Sequence, residues 1–375
     1  MKIFVFAYLD KNLGDDLMIR MLASELKEHE LYIDCANPIL TRGFNDLNNV
    51  KFINFEKGIK EKFKHLQQFD GYITIGGSIF IIRTNKDALQ RLLKRFILLK
   101  LLKITGMKIA TIGCNLGSFG SKFCKWVACW ELSCSDLVTV RDSYSYKILS
   151  KTRKKKYLMK FDDIVMNYPI IEGKSDKMDI VQNCLGISVY RARANSEINL
   201  LNYKKMAELA DEYIIRTGGK VLLFAFDTEN ENDLSAAYNI IEIAKNKTSI
   251  EIIAYCNKPE YIIDNMKRCT KFIATRFHSA ILAIRLGIEF IPISYSNKMN
   301  NMLDDIGYNG LCINLNEINN FDISKIMNFL ENTDENLKVY VPSMAYNGIN
   351  HLKAVRAYLE NDKNSLSLLL NDIRK

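Results

Sequence analysis

The chain has 375 residues, of which 48% are hydrophobic and 25% charged, with a net charge of +9. That length exceeds one ordinary core and suits two domains of typical size. The balance of apolar and charged residues excludes disordered and fibrous classes, and only 5 prolines argue against long extended linkers.

Strands and helices alternate from the start. Residues 3–7 form a continuous apolar run, which reads as a first buried strand; it is too short for a signal peptide and no small-residue cleavage site follows. A polar loop (10–16) leads to an amphipathic helix starting at Asp16, where Gly14 can take a left-handed turn and Asp16 can cap the helix. Residues 31–35 and 51–53 read as strands, and 71–75 as a buried strand running into Gly76-Gly77. A basic amphipathic helix (88–102) precedes the strand 108–112, with a helix at 123–134 and a strand at 137–140. The stretch 96–104 is interrupted by Lys100 and Lys103 and falls far short of a membrane span. β-Branched runs without alternation, separated by helices, indicate a parallel sheet covered on both faces.

Composition shifts at 151–156, and the polar stretch 172–179 reads as an interdomain connection. The pattern then restarts. Strands are expected at 184–189, 220–225, 250–253, 271–275 and 290–293, with helices at 202–217, 233–246, 261–269 and 278–286. The expected fold is therefore α/β, with two doubly wound, Rossmann-like domains (1–175 and 180–345) facing across a cleft. A last helix, 349–370, would pack back on the first domain. Ligands of such sheets bind beyond the carboxyl ends of the strands, so the informative residues should follow strands.

The 9 cysteines show no metal-ligand spacing. Cys124, Cys129 and Cys134 recur every five residues, which circles a helix rather than lining one face. They read as small buried apolar residues in a reducing compartment, so the expected location is cytoplasmic. Basic clusters at 91–103 and 151–156 read as solvated faces and a linker. Alternatively they attract anions: a phosphorylated substrate, a nucleotide or an anionic membrane surface. No helix-turn-helix, zinc-finger or single-strand-binding signature is visible, so nucleic acid is not an expected partner.

Four constellations carry chemistry. Asn12-Leu13-Gly14-Asp15-Asp16 places two carboxylates and an amide after the first strand, suited to sugar hydroxyls or general-base work, or else to a structural turn. Gly76-Gly77-Ser78 lets the backbone approach a ligand closely, with amides able to cradle an anion. Arg141-Asp142 reads as structural. At the first strand end of the second domain, Ser188-Val189-Tyr190-Arg191 offers Arg191, with Arg193, for a carboxylate or phosphate. The sharpest is Thr275-Arg276-Phe277-His278-Ser279. His278 stands at a helix N-terminus beside Arg276, where both dipole and guanidinium favour an anion, and its imidazole can move protons near neutral pH. His29, His65 and His351 have no partner motif. Lys298, in Ser294-Tyr295-Ser296-Asn297-Lys298, would add a cation. The sum suits a small, multiply anionic donor on the second domain and a polyhydroxy acceptor on the first.

These elements together resemble the polysaccharide pyruvyl transferase family. The resemblance runs from the Asn-Leu-Gly-Asp-Asp loop through Ile75-Gly76-Gly77-Ser78, Val140-Arg141-Asp142-Ser143 and Gly186-Ile187-Ser188-Val189. It ends in Thr275-Arg276-Phe277-His278-Ser279-Ala280 and Ile293 to Lys298. It implies a glycosyltransferase-B-like fold and transfer of pyruvate from phosphoenolpyruvate onto a sugar of a cell-surface polysaccharide, or its lipid-linked precursor, as a ketal. In that reading Arg276, Arg191, Lys298 and Ser279 hold the donor, His278 supplies a proton, and Asp15 or Asp16 activates a hydroxyl. Asn12, Gly14, Gly76, Gly77 and Ser78 shape the acceptor or phosphate loop. The donor is a substrate, with no cofactor and no metal expected, and peripheral contact with the inner membrane surface is compatible. Two other readings share the architecture. One is a glycosyltransferase using a nucleotide sugar, which predicts a ribose-binding carboxylate late in the second domain, though Glu317, set among asparagines with no clear helix start, matches one poorly; the other is a non-catalytic member of an assembly complex.

Overall fold

The computed structural model describes residues 1–55, 58–77, 79–82, 86–152, 157–170, 183–192, 196–315, 317, 322–331 and 346–372. Two compact units are present. The first is Met1–Leu9, Asp15–Tyr168 and Tyr346–Lys375; the second is Pro169–Ala345 together with the short segment Asp10–Gly14. The expected connection at 172–179, and residues 153–156 of the basic stretch, lie outside the described residues.

In the first unit the strands are Lys2–Phe6 (β1), Glu30–Asp34 (β2), Val50–Ile53 (β3), Gly71–Ile75 (β4), Phe80–Ile82 (β5), Lys108–Cys114 (β6), Leu116–Phe119 (β7), Leu137–Val140 (β8) and Tyr157–Lys160 (β9). Seven of them form one sheet in the order β3-β2-β1-β4-β6-β8-β9, and β5 pairs with β7. Every pairing in the large sheet is parallel. β4 and β8 are buried along their whole length. Helices cover both faces of a parallel sheet, so even the threonines of these strands, Thr74 and Thr139, are buried.

The second unit repeats the plan with Cys184–Ser188 (β10), Lys220–Ala225 (β11), Ile250–Ala254 (β12), Lys271–Ala274 (β13), Glu289–Ser294 (β14) and Ile313–Asn314 (β15). Their order is β12-β11-β10-β13-β14-β15, again parallel. Leu185, Ile187, Leu223, Ile273 and Ile291 form the centre of its core.

Several boundaries differ from the sequence reading. The helix expected at 123–134 is Lys122–Leu132, started by Ser121, whose hydroxyl accepts from Cys124 N at 3.1 Å. Cys134 therefore lies beyond it. The cysteines are not uniformly buried, since Cys256 and Cys312 are exposed. The terminal helix is two, Asn350–Glu360 and Lys363–Asp372. Asn361 takes a left-handed conformation at φ 60° that ends the first, and the Asp362 carboxylate accepts from the amides of Asn364 and Ser365 to start the second. The pair β5–β7 and the strands β9 and β15 are not among the expected elements.

The helix Asn350–Glu360 is fastened to the first sheet by polar contacts. Tyr358 Oη donates to Asp136 Oδ2 at 3.0 Å and accepts from Ile109 N at 3.2 Å. His351, which had no partner motif in the sequence, is fully buried. Its Nδ1 lies 2.6 Å from Thr139 Oγ1 and its Nε2 2.9 Å from the Asp162 carbonyl. The carbonyl can only accept, so the proton sits on Nε2 and Nδ1 accepts from the threonine. Burial pushes the His351 pKa down from 6.5 to about 4, with Arg141 acting in the same sense and Asp163 and the Asp162 carbonyl against it. The unfolded chain takes up this proton below about pH 6.5 while the folded chain refuses it until about pH 4. Its share of stability is thus complete above 6.5 and lost as pH falls towards 4. By pH 5 the loss should reach about 2 kcal/mol, read as a lower urea midpoint than at pH 7. His351→Gln should be less stable at pH 7 but show a flatter dependence between pH 7 and 5; an unchanged slope would refute this assignment.

Candidate functional site

Strand ends in the second unit bring several of the singled-out residues together. The segment Asp10–Gly14 lies on this unit: Leu13 N donates to Phe226 O at 3.1 Å and Asn12 Nδ2 to Asp227 Oδ2 at 3.4 Å. The helix begins at Leu13 rather than Asp16 and runs to Glu25. Asn12 is its cap, its side-chain oxygen accepting from Gly14 N at 3.1 Å. Asp15 and Asp16 therefore occupy the first turn, where carboxylates complement the helix dipole. Asp16 is buried and Asp15 half-buried.

Gly14 does not make a left-handed turn; it sits inside the helix. Its lack of a side chain matters for another reason. A Cβ there would lie 1.7 Å from His278 Nδ1, so the imidazole occupies the volume that any other residue would fill.

His278 stands in the first turn of the helix Phe277–Arg285 and is half-buried. The loop before it is held by Ser188 at the end of β10, whose hydroxyl accepts from Thr275 N at 2.8 Å and Arg276 N at 3.1 Å. Ser279 donates to Arg276 O at 2.7 Å and lies 2.8 Å from Ser188 Oγ. Fully buried and so engaged, Ser279 secures the loop.

Arg276 is likewise engaged within the unit. The residue is 6% exposed, and its guanidinium is taken up by carboxylates that the sequence does not single out. Nε donates to Asp233 Oδ2 at 2.9 Å, a second nitrogen reaches Asp233 Oδ1, and the third pairs with Glu231. The guanidinium carbon sits 4.7 Å from the Tyr190 ring centre, and Tyr190 stacks on Tyr295 at 4.1 Å and 10°. Burial works against the charge on Arg276, but Asp233 and Glu231 outweigh it and raise its pKa, so the cation persists. Burial pushes Asp233 up to about 6, with Arg276 opposing. The signal for these acids was present, since 227–233 is a carboxylate-rich loop after β11, of which only Asp233 was read, as the start of a helix.

Of the other expected cations, Arg191 is exposed beyond the end of β10, and Lys298 Nζ lies 5.6 Å from the Phe277 ring centre and 5.9 Å from that of Tyr295. Arg193 lies outside the described residues, and Glu317 is exposed.

In the first unit, Gly77 follows β4 as expected, but a Cβ on it would lie 2.0 Å from an Arg141 nitrogen. Its smallness thus admits a protein side chain. Arg141 is buried, donating to Asp163 Oδ2 at 2.6 Å and Asn115 Oδ1 at 2.8 Å. Asp142 caps the next helix, accepting from Ser145 N at 2.6 Å. Gly76 has a φ of 137°, and Ser78 lies outside the described residues. A cavity of about 670 Å³ opens elsewhere in this unit, lined by Phe4, Phe6, Phe55, Tyr72 and Arg95 among others, and none of the singled-out site residues line it.

A family model described as polysaccharide pyruvyl transferase matches residues 12–297, most of the chain. No curated protein matches. Among solved structures, the UDP-GlcNAc 2-epimerase of Neisseria meningitidis bound to UDP-GlcNAc is similar with a TM-score of 0.68 at 12% identity, over 96% of this chain and 100% of that one. The S. aureus MnaA–UDP complex gives 0.63 at 13% identity, covering 97% of each. Anabaena HepE with UDP and glucose gives 0.56 at 11%, over 99% of this chain and 100% of that one. At such identities the likeness concerns the fold, which is glycosyltransferase-B-like.

The Arg276 cluster can be tested by stability. Asp233→Asn leaves a buried guanidinium with Glu231 alone and should cost about 3 kcal/mol in denaturant unfolding, because a broken buried pair leaves charge uncompensated. A loss no larger than that of an exposed ion pair would show that Glu231 alone suffices.

Proposed function

From the premise that the chain belongs to the polysaccharide pyruvyl transferase family, we propose that it transfers a pyruvyl group from phosphoenolpyruvate to two hydroxyls of a sugar in a polysaccharide or its lipid-linked precursor. The observation that carries the reading is the seating of His278. A titratable imidazole at a helix N-terminus is packed against a glycine that leaves room for nothing else.

In this reading Arg191 and Lys298 take the donor's carboxylate and phosphate. Arg276 acts through position, holding the loop that carries His278. The imidazolium of His278 gives its proton to the methylene carbon of phosphoenolpyruvate, and the central carbon becomes electrophilic. One sugar hydroxyl adds there, its proton passing to Asp15, the more accessible of the two adjacent carboxylates. The second hydroxyl displaces phosphate and closes the ketal; one of the two hydroxyl protons returns to His278 and the other leaves with the phosphate. Substrate and product balance without an oxidant or reductant.

The neighbours crystallised with UDP or a UDP-sugar support a second reading, a nucleotide-sugar-dependent transferase on the same fold. One experiment separates the two: phosphate release from phosphoenolpyruvate over a panel of sugar acceptors, beside thermal shifts with nucleotide sugars. Release together with a pyruvate-sized mass gain on one acceptor is expected. Stabilisation by a nucleotide sugar and none by phosphoenolpyruvate would decide for the rival. His278→Gln should lower turnover by a factor of about 10²–10⁴ while the thermal midpoint holds; wild-type-like turnover would remove His278 from the mechanism.

Gly14→Ala offers an independent check. In a helix this exchange ordinarily favours stability, by up to about 1 kcal/mol. Here the methyl group should displace His278 and cost about a hundredfold in turnover. An active, more stable variant would show that the imidazole has room to move.

A further inference from the structure

Two helices of the first unit turn large apolar side chains outward. The helix Lys86–Ile104 exposes Ile97 (48%), Leu101 (38%) and Ile104 (81%). The helix Lys122–Leu132 exposes Phe123 (49%), Trp126 (47%) and Trp130 (36%). Within each helix these positions recur at three- and four-residue steps, so each set occupies one side. The aromatic run is continuous across the seam: Phe96 stacks on Trp130 at 5.6 Å, Trp130 meets Trp126 at 3.3 Å, and Trp126 meets Phe123 at 5.9 Å between ring centres.

The opposite sides of both helices are well anchored, with Leu98, Leu99 and Leu102 of the first and Val127, Ala128 and Leu132 of the second buried. Between them Arg95 donates to Glu131 at 2.5 Å, and its guanidinium carbon lies 4.6 Å from the Phe6 ring centre. Burial opposes the charge on Arg95, yet Glu131 outweighs it and keeps its pKa high. The outward face is therefore presented by a rigid pair, not by fraying ends.

The rim is basic. Arg91, Lys94, Lys100 and Lys122 are exposed, and Lys125 is half-buried. The two helices carry eight lysines and arginines against only Asp87 and Glu131, and Glu131 is the buried partner of Arg95. Single exposed apolar residues need no explanation. A continuous aromatic and aliphatic face rimmed by cations fits the headgroup boundary of an anionic bilayer, where tryptophan is favoured and lysine meets lipid phosphate. A second copy of the chain fits poorly, because the basic rim would face itself.

We propose that this face docks the protein on an anionic membrane surface, with Phe123, Trp126, Trp130, Ile97 and Leu101 entering the headgroup boundary and the surrounding lysines contacting lipid phosphates. The inference is independent of the donor and acceptor assigned above.

Both tryptophans of the chain lie on this face, so intrinsic emission reports on it without a label. The full-length protein is mixed with vesicles of phosphatidylcholine, alone or blended with phosphatidylglycerol. Cosedimentation with the blended vesicles only is expected, with tryptophan emission moving to shorter wavelength and quenched by spin-labelled lipid. Near an anionic surface each basic residue is worth about fivefold in partitioning, so Lys100→Glu/Lys122→Glu/Lys125→Glu should lower it about a hundredfold or more. Thermal unfolding controls for the fold of that variant, and the wild-type emission decides without it. Three results would each overturn the proposal: equal partitioning onto neutral vesicles, binding with unshifted emission, or lipid-free dimerisation that buries the tryptophans in sedimentation velocity.

Discussion

The second unit is organised around a buried guanidinium. Arg276 cannot sit at 6% exposure without partners, and it draws Asp233 and Glu231 from the loop after β11 onto the loop after β13. Tyr190, beyond β10, and Tyr295, beyond β14, complete the enclosure. Four strand ends are thereby tied to one side chain. The cost of withdrawing an ion from water makes this arrangement strict, since any partner that leaves strands a charge in low dielectric.

That constraint carries through to chemistry. The loop fastened by Arg276 and Ser188 starts the helix on which His278 stands, and it leaves the imidazole little freedom of its own. On the other side the chain meets it with Gly14, where even a methyl group would overlap. An acid–base group is useful only when held within a fraction of an ångström of its working position. The neighbouring serines, a hydrogen-bonded pair fully buried, hold that loop in place.

The first unit solves a similar problem with different residues. Arg141 is buried beyond β8 against Asp163 and Asn115, and Gly77 makes room for it. The terminal helix Asn350–Glu360 then closes on the same sheet through His351 and Tyr358. In both units, glycines that a reading for ligand approach would assign to substrate are occupied by the protein's own cationic or aromatic side chains.

From the sequence alone, the alternation of apolar strands with amphipathic helices, its restart near residue 184, and the candidacy of His278 could all be read. These depend on local periodicity and on residue chemistry at strand ends, which a linear chain displays. Strand order could not be read, because parallel neighbours such as β10 and β13 are joined by long crossovers. The partners of Arg276 stand 43 and 45 positions earlier in the chain, and nothing local links them. The capping role of Asn12 and the allegiance of Asp10–Gly14 to the second unit depend on where Phe226 and Asp227 arrive in space. The sides of the helices Lys86–Ile104 and Lys122–Leu132 were equally ambiguous, since apolar residues lie on both, and only packing decided which would meet water. Pairings over long separations are set by the tertiary structure, because burial and charge compensation are properties of the assembled core.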